Sequence, residues 1–177
     1  MTVLKRVPLK GVLKRAPLKG VLKRAPLKGV LKGVPFIGDK EVLMMLTVKT
    51  SQKTELIDIT AKVQEAVSAS CAGKGMKNGL CMVYIPHTTA AVTINESADP
   101  DVKADILMIL NKIVPWEAGY RHMEGNSPAH VKATLVGASA LVAFENKKLL
   151  LGTWQGIFFC EFDGPRTRKV HVRIMPE

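Results

Sequence analysis

His87, His122 and His130, three of the four histidines, fall inside short polar islands set between apolar runs. The islands are Pro86-His87-Thr88-Thr89, Asn95-Glu96, the stretch from His122 to His130 (HMEGNSPAH) and the stretch from Glu161 to Arg166 (EFDGPR). An unpaired charge buried among apolar side chains costs several kcal/mol, so these groups must be hydrogen-bonded, paired or ligated. Clustering of this kind marks a candidate active site.

In the third island, His122, Glu124 and Asn126 lie in a loop that enters a helix at Ser127-Pro128, and His130 follows on the first turn. Free N–H groups and the helix dipole attract anions there, so a phosphate can sit with histidines beside it. Taken alone, the plainer reading is that Asn126 or Ser127 caps the helix while both histidines pack at the surface. In the fourth island, Glu161 and Asp163 alternate with Phe162, so both carboxylates are expected on one side of a strand end, where they invite a cation. Arg166, after a Gly-Pro turn, can hold phosphate with two bonds. Gln155, in Gly152-Thr153-Trp154-Gln155, can read an amide or pyrimidine edge, whereas Trp154 suits a core or interface. His87, His122 and His130 can together supply three nitrogens to Zn²⁺ with one position open for water, although their spacing is not HExxH. His171, between Val170 and Val172, reads as a solvent-facing strand residue without a role.

The elements that position these groups follow from periodicity. Strands are expected over residues 42–49, 55–59, 80–85 and 90–94, the third delivering His87 and the fourth delivering Asn95 and Glu96. Thr60 is expected to cap a helix over residues 61–71 with Val63, Ala66 and Val67 on one face. Asp99-Pro100 starts a helix with the apolar stripe Val102, Ile106, Ile109, Leu110 and Ile113, ending near Pro115. Ser127-Pro128 starts a shorter one, closed by Gly137. Strands over residues 139–144, 148–152, 155–162 and 167–174 follow, with short turns that imply antiparallel pairing. The expected fold is α+β, an antiparallel sandwich-like or barrel-like core with two to three helices.

The net charge of +11 points to a nucleic-acid or membrane partner until it is located along the chain. Residues 1–40 carry 11 Lys and Arg against the single acid Asp39, while residues 41–177 carry 15 basic and 14 acidic side chains and are close to neutral. Residues 3–38 are four copies of a nonapeptide, VLKRVPLKG, VLKRAPLKG, VLKRAPLKG and VLKGVPFIG. Recurrent Pro and Gly exclude a continuous helix, and solenoid repeats have periods of ~20 residues or more apart from short β-helix repeats, whose Gly and Asp pattern is absent here. Residues 1–43 therefore read as a disordered basic leader, dispensable for the domain at 44–177 and upstream of a start at Met44 or Met45. Contact with nucleic acid is expected through this leader alone. Cys71, Cys81 and Cys160 show no CxxC or disulfide pattern, so each reads as a small buried hydrophobe in a reducing, cytoplasmic setting. No apolar run reaches the ~18 to 20 residues that span a bilayer.

From Thr50 to the C-terminus the chain resembles the YjbQ-like family, described as secondary thiamine-phosphate synthases. The resemblance rests on ELIDIT at 55–60, PHTTAAVTINE at 86–96, DPDV at 99–102, HMEGNSPAH at 122–130, LGTWQ at 151–155 and EFDGPR at 161–166, in that order. It implies a β-rich α+β homotrimer with a polar pocket near subunit boundaries, and a weak activity that joins a pyrimidine pyrophosphate to a thiazole phosphate with release of pyrophosphate. The chain departs from the family pattern at Val142-Ala143-Phe144 and Asn146-Lys147-Lys148, where Pro and then Gly are usual, which bears on the hairpin there. On the implied reaction, Mg²⁺ on Glu124, Glu161 or Asp163, with Arg166 and the helix start near His130, neutralises the leaving pyrophosphate. His87 or His122 then carries the proton, with His130 and Glu124 beside them and Thr88, Thr89, Asn95, Asn126 and Gln155 as substrate contacts. Two alternatives stand against this: a metal-dependent hydrolase built on the His/Glu cluster, and a non-catalytic trimeric module that binds a small phosphorylated ligand.

Overall fold

The computed structural model describes residues 41–72 and 75–177, and the nonapeptide leader falls outside the described residues. In chain order the elements are β1 (Val42–Lys49), β2 (Glu55–Asp58), α1 (Thr60–Cys71), β3 (Gly79–Tyr84), β4 (Ala90–Glu96), α2 (Pro100–Ile113), α3 (Ser127–Val136), β5 (Ser139–Glu145), β6 (Lys148–Leu149), β7 (Gln155–Glu161) and β8 (Thr167–Pro176). The strands form a five-stranded sheet, β1-β8-β3-β5-β6, and a three-stranded sheet, β2-β7-β4. Every pairing is antiparallel. This is the α+β architecture that the sequence pattern implies.

Strand parity builds the layers, because successive side chains point to opposite faces. Val170, Val172 and Ile174 of β8 and Cys81 and Val83 of β3 point inward to meet Ile157 and Phe159 of β7 and Val92 of β4. Val63, Ala66 and Val67 of α1 close this core. The other face of β7 and β4, with Cys160 and Ala91, and Phe162 just beyond β7, packs on Ala129 and Ala133 of α3. β7 is thus buried on both faces, from Gly156 through Glu161.

Three local expectations shift. Short connections suggested that β7 pairs with its sequence neighbours, but β6 has only two residues, and β7 instead becomes the centre of the smaller sheet between β2 and β4. Thr60 does not cap α1; its hydroxyl accepts from the Ile157 N–H at 2.8 Å, tying α1 to β7. The apolar stripe expected on α2 is rotated: Leu107 and Leu110 pack on the second core, while Ile109 and Ile113 are exposed. The Asp99 cap forms as expected, accepting from the Asp101 N–H at 2.8 Å. All three cysteines are buried and free. Burial pushes the Cys81 and Cys160 thiols up to about 12, so neither is poised as a nucleophile. Among the described residues no helix is long and apolar enough to cross a membrane.

Candidate functional site

At one end of the sandwich the two sheets are joined by a buried ion pair. Arg168 of β8 occupies the inward parity of Val170 and Val172, and Glu161 of β7 that of Phe159, so their side chains meet between the sheets. Arg168 Nε donates to Glu161 Oε2 at 2.7 Å and Nη2 to Oε1 at 2.6 Å. Nη2 also reaches Thr89 Oγ1 at 2.9 Å. The Thr50 hydroxyl donates to Glu161 Oε2 at 3.2 Å, and the Phe162 and Asp163 N–H groups donate to Oε1 at 3.1 and 2.9 Å. Glu161 is wholly buried, yet its oxygens are fully engaged. Gly164 is required beside it, since a Cβ there would come within 2.9 Å of Glu161 Cγ.

That ion pair underlies the first polar island. His87, in the β3–β4 connection, accepts the Lys169 N–H on Nε2 at 2.9 Å. A neutral imidazole with Nε2 accepting carries its proton on Nδ1, which remains as the free donor of the ring. Burial first and the Arg168 charge second hold the His87 pKa below the ordinary histidine value, so the ring is neutral at pH 7.

His87 and Thr88 face α3 across a cavity of about 340 Å³, lined on the helix side by His130, Ala133 and Thr134. These helix positions recur at i, i+3 and i+4, one face of α3. His130 also meets His122 edge to face, with ring centroids 5.5 Å apart. The exposed Glu124 lies 3.7 Å from His122 Nε2. His130 thus links the cavity to the loop that carries His122 and Glu124.

Asn126 does not cap α3 with its side chain. Its Nδ2 donates to Asp163 Oδ2 at 3.2 Å, and its buried Oδ1 has no protein partner among the described residues. Asp163 is held in turn by Arg166, whose Nη2 donates to Oδ2 at 2.7 Å and whose Nε donates to the Asp163 carbonyl at 2.6 Å. Half of the Arg166 side chain stays exposed beside this contact.

The first, third and fourth islands therefore gather at one end of the fold, and the second does not. Ala90 pairs with Glu161 at the histidine end of β4, but Asn95 pairs with Gly156 and Glu96 with Gln155 at the other end. At ~3.4 Å per residue Asn95 lies about 17 Å further along the strand. Gln155 spends its side-chain oxygen on the Gly152 N–H at 2.8 Å, and Asn95 spends its own on the Glu96 N–H at 2.8 Å. Both are turn and strand-end residues rather than neighbours of the histidines.

The carboxylates expected to hold Mg²⁺ do not face a common point. Glu161 is neutralised by Arg168, Asp163 by Arg166, and Glu124 stands apart in the exposed loop. Among the described residues no three His, Cys, Asp or Glu side chains come together as a cation-holding group, the trio His87, His122 and His130 included. The donor set as folded in one chain therefore does not fit either ion.

Sequence reasoning passed over Arg168 and Lys132. Arg168 carried a readable signal, since period-two alternation with Val170, Val172 and Ile174 places it inside. Lys132 likewise falls on the inward face of α3 with Ala129 and Ala133, and it is fully buried. Burial first and the Lys53 charge second pull its pKa below the ordinary lysine value.

The described domain coincides with a known family, UPF0047 protein YjbQ-like, which matches residues 44–177. The chain belongs to that family. The YjbQ-like relative YugU of Bacillus subtilis is 50% identical over 135 residues, 76% of this chain and 99% of its own. A UPF0047 protein of Methanocaldococcus jannaschii is 47% identical over 135 residues, 76% of this chain and 95% of its own. Among solved YjbQ-like structures, an uncharacterised protein of Clostridium acetobutylicum shares 52% identity with a TM-score of 0.71, covering 75% of this chain and 99% of that one. A protein of unknown function from Sulfolobus solfataricus shares 35% identity with a TM-score of 0.72, covering 77% and 98%.

Proposed function

We propose that this YjbQ-like chain is a low-level transferase of the thiamine-phosphate synthase type, acting on small phosphorylated substrates in the cavity between His87 and His130. One observation carries the reading: two histidines and two threonines converge on a cavity of about 340 Å³ in a near-neutral domain. In the proposed reaction a carbon–oxygen bond to pyrophosphate breaks, its electron pair stays on the leaving oxygen, and a bond forms from the carbon to the thiazole nitrogen. The developing charge needs fixed donors. The Nδ1–H of His87, the ring of His130 and the exposed part of Arg166 supply them. Held neutral, His87 serves as a hydrogen-bond donor, which leaves His130 and His122 as the proton carriers.

The same reading includes a homotrimer. The outer face of the larger sheet supports it, because Leu43 and Met45 of β1, Leu80 and Tyr84 of β3 and Leu141 of β5 are all exposed there. Large apolar side chains exposed together on one sheet face favour association.

The test is release of pyrophosphate from a pyrimidine pyrophosphate in the presence of a thiazole phosphate, with Mg²⁺ and Zn²⁺ each supplied and withheld. His87→Ala and His130→Ala are expected to lower turnover about a hundredfold. Turnover within twofold of the parent in both variants would sink the reading. Binding of the phosphorylated substrates with no product formed under any metal condition would replace it with a non-catalytic module.

A further inference from the structure

We propose that Lys53, Trp116 and Lys132 form a second oxyanion site, between α2, α3 and the loop after β1, that takes a phosphate-like dianion. It is separate from the histidine cavity. With 3.6 residues per turn, Lys132 and His130 lie about 200° apart around α3, so the two sites are on opposite sides of that helix.

Lys132 sits in an apolar slot. Ala129, Lys132, Ala133 and Val136 share the inward stripe of α3, and the other three pack on the second core. Lys132 is 0% exposed. Its Nζ carries three N–H donors, and one protein acceptor is in place, Asn111 Oδ1 of α2 at 2.6 Å. The Trp116 ring centroid lies 4.8 Å away.

A second cation shares that ring. Lys53 Nζ sits 3.5 Å from the Trp116 centroid, so the two ammonium groups are closer together than the ~10 Å Debye length. Among the described residues neither lysine forms an ion pair with a carboxylate. An indole attracts cations through its quadrupole but has no net charge, so it orients both lysines without neutralising either. Two ammonium groups and one amide are donors that a tetrahedral oxyanion uses: lysine acts as a point charge with rotatable donors. Lys53 is exposed and Trp116 half-buried, so the solvent-facing side of the site is the Lys53 side.

The experiment uses the full chain carrying Trp154→Phe, which leaves Trp116 as its single indole. Inorganic phosphate is titrated against potassium chloride at equal ionic strength, read by Trp116 emission and by calorimetry. Saturable binding in phosphate alone is expected. Lys53→Gln, at an exposed position, should weaken it at least tenfold, and Lys132→Met, which suits the apolar stripe, should abolish it. His87→Ala should leave the Trp116 emission change in place, since only the second site adjoins that ring. Absence of saturable binding by both readouts overturns the proposal, as does Lys53→Gln binding within twofold of the parent. Loss of binding in His87→Ala would assign the phosphate to the histidine cavity and overturn it equally. Should Lys132→Met fail to fold by circular dichroism, Lys53→Gln decides alone.

Discussion

Arg168 grips Glu161 with two parallel bonds of 2.6 and 2.7 Å, and this pair is the floor on which His87 and Thr89 stand. It joins the sheets and, through Lys169, the next residue of β8, sets the backbone N–H that His87 accepts. Removing one partner of a buried pair leaves the other charge uncompensated, at a cost of about 3 to 5 kcal/mol. Glu161→Gln is therefore expected to lower the melting temperature by on the order of 10 °C. Replacing both partners with apolar residues, Glu161→Leu with Arg168→Met, should recover much of that loss. A Glu161→Gln protein that melts with the parent would show that the pair contributes nothing.

His87 predicts a pH dependence of stability. Burial and the neighbouring Arg168 lower its pKa in the folded state, whereas Glu161 and the Lys169 contact act the other way, and His171 adds a weaker depression. A base whose folded pKa is depressed stabilises fully above its unfolded pKa, near 6.5, and that contribution is lost as pH falls through the folded value. Protonation also removes Nε2 as acceptor for Lys169. Thermal melts of the parent and His87→Gln, run between pH 7.5 and pH 4.5, are expected to show a steeper acid loss in the parent. Parallel curves would contradict the depressed value.

Asn95 and Gln155 separate the sheet ends. The histidine-end groups are expected to matter for turnover, while Asn95→Ala and Gln155→Ala, about 17 Å further along the sheet, should stay within threefold of the parent. Steady-state pyrophosphate release checks this. A hundredfold loss in Gln155→Ala would bring the far end of the sheet into the site.

Part of this fold was legible in the chain and part was not. Period-two and helical spacing placed β1, β3, β4, α1 and α3 almost at their observed bounds, because local backbone preference and one buried face agree there. The role of Glu161 was not legible as a pair, because its partner comes from a different sheet and only topology brings them together. Asn95 looked like a site residue because strand ends attract functional groups, but a strand has two ends. The stripe on α2 misled because the helix buries none of its residues fully, so little apolar contact pins its rotation. Lys132 was hidden by its type: a lysine in an inward slot reads as a surface residue until Asn111 and Trp116 are seen around it.

The outer face of the larger sheet predicts assembly. In register, Leu80 of β3 faces Met175 and Ala143, and Met82 faces Leu141 on one side and Arg173 on the other, so the apolar groups form rows that Arg173 and His171 of β8 interrupt. A charge in the middle of those rows should block association at little cost to folding, since the position is exposed in one chain. Leu141→Asp is expected to convert the proposed trimer to a monomer in size-exclusion chromatography with light scattering. An unchanged mass would move the contact elsewhere.

The β5–β6 hairpin turns through a lysine at positive φ. Asn146 and Lys147 both adopt positive φ, 48° and 66°, as the two central residues of a tight hairpin turn that favours Asn-Gly. Asn suits that region, but Lys does not, since a Cβ there costs roughly 1 to 2 kcal/mol. Tertiary contacts hold the turn. The Lys147 N–H donates to the Lys77 carbonyl at 2.8 Å, and the Lys147 carbonyl accepts from Gln64 Nε2 at 2.8 Å. Both contacts are made by the backbone of Lys147, so Lys147→Gly preserves them and removes the strain. The gain is reduced by the greater chain entropy of glycine in the unfolded state. Lys147→Gly is therefore expected to raise the melting temperature by a few degrees, about 1 kcal/mol of stability, in thermal and denaturant unfolding. A lower melting temperature would show that the lysine side chain contributes more than its backbone conformation costs.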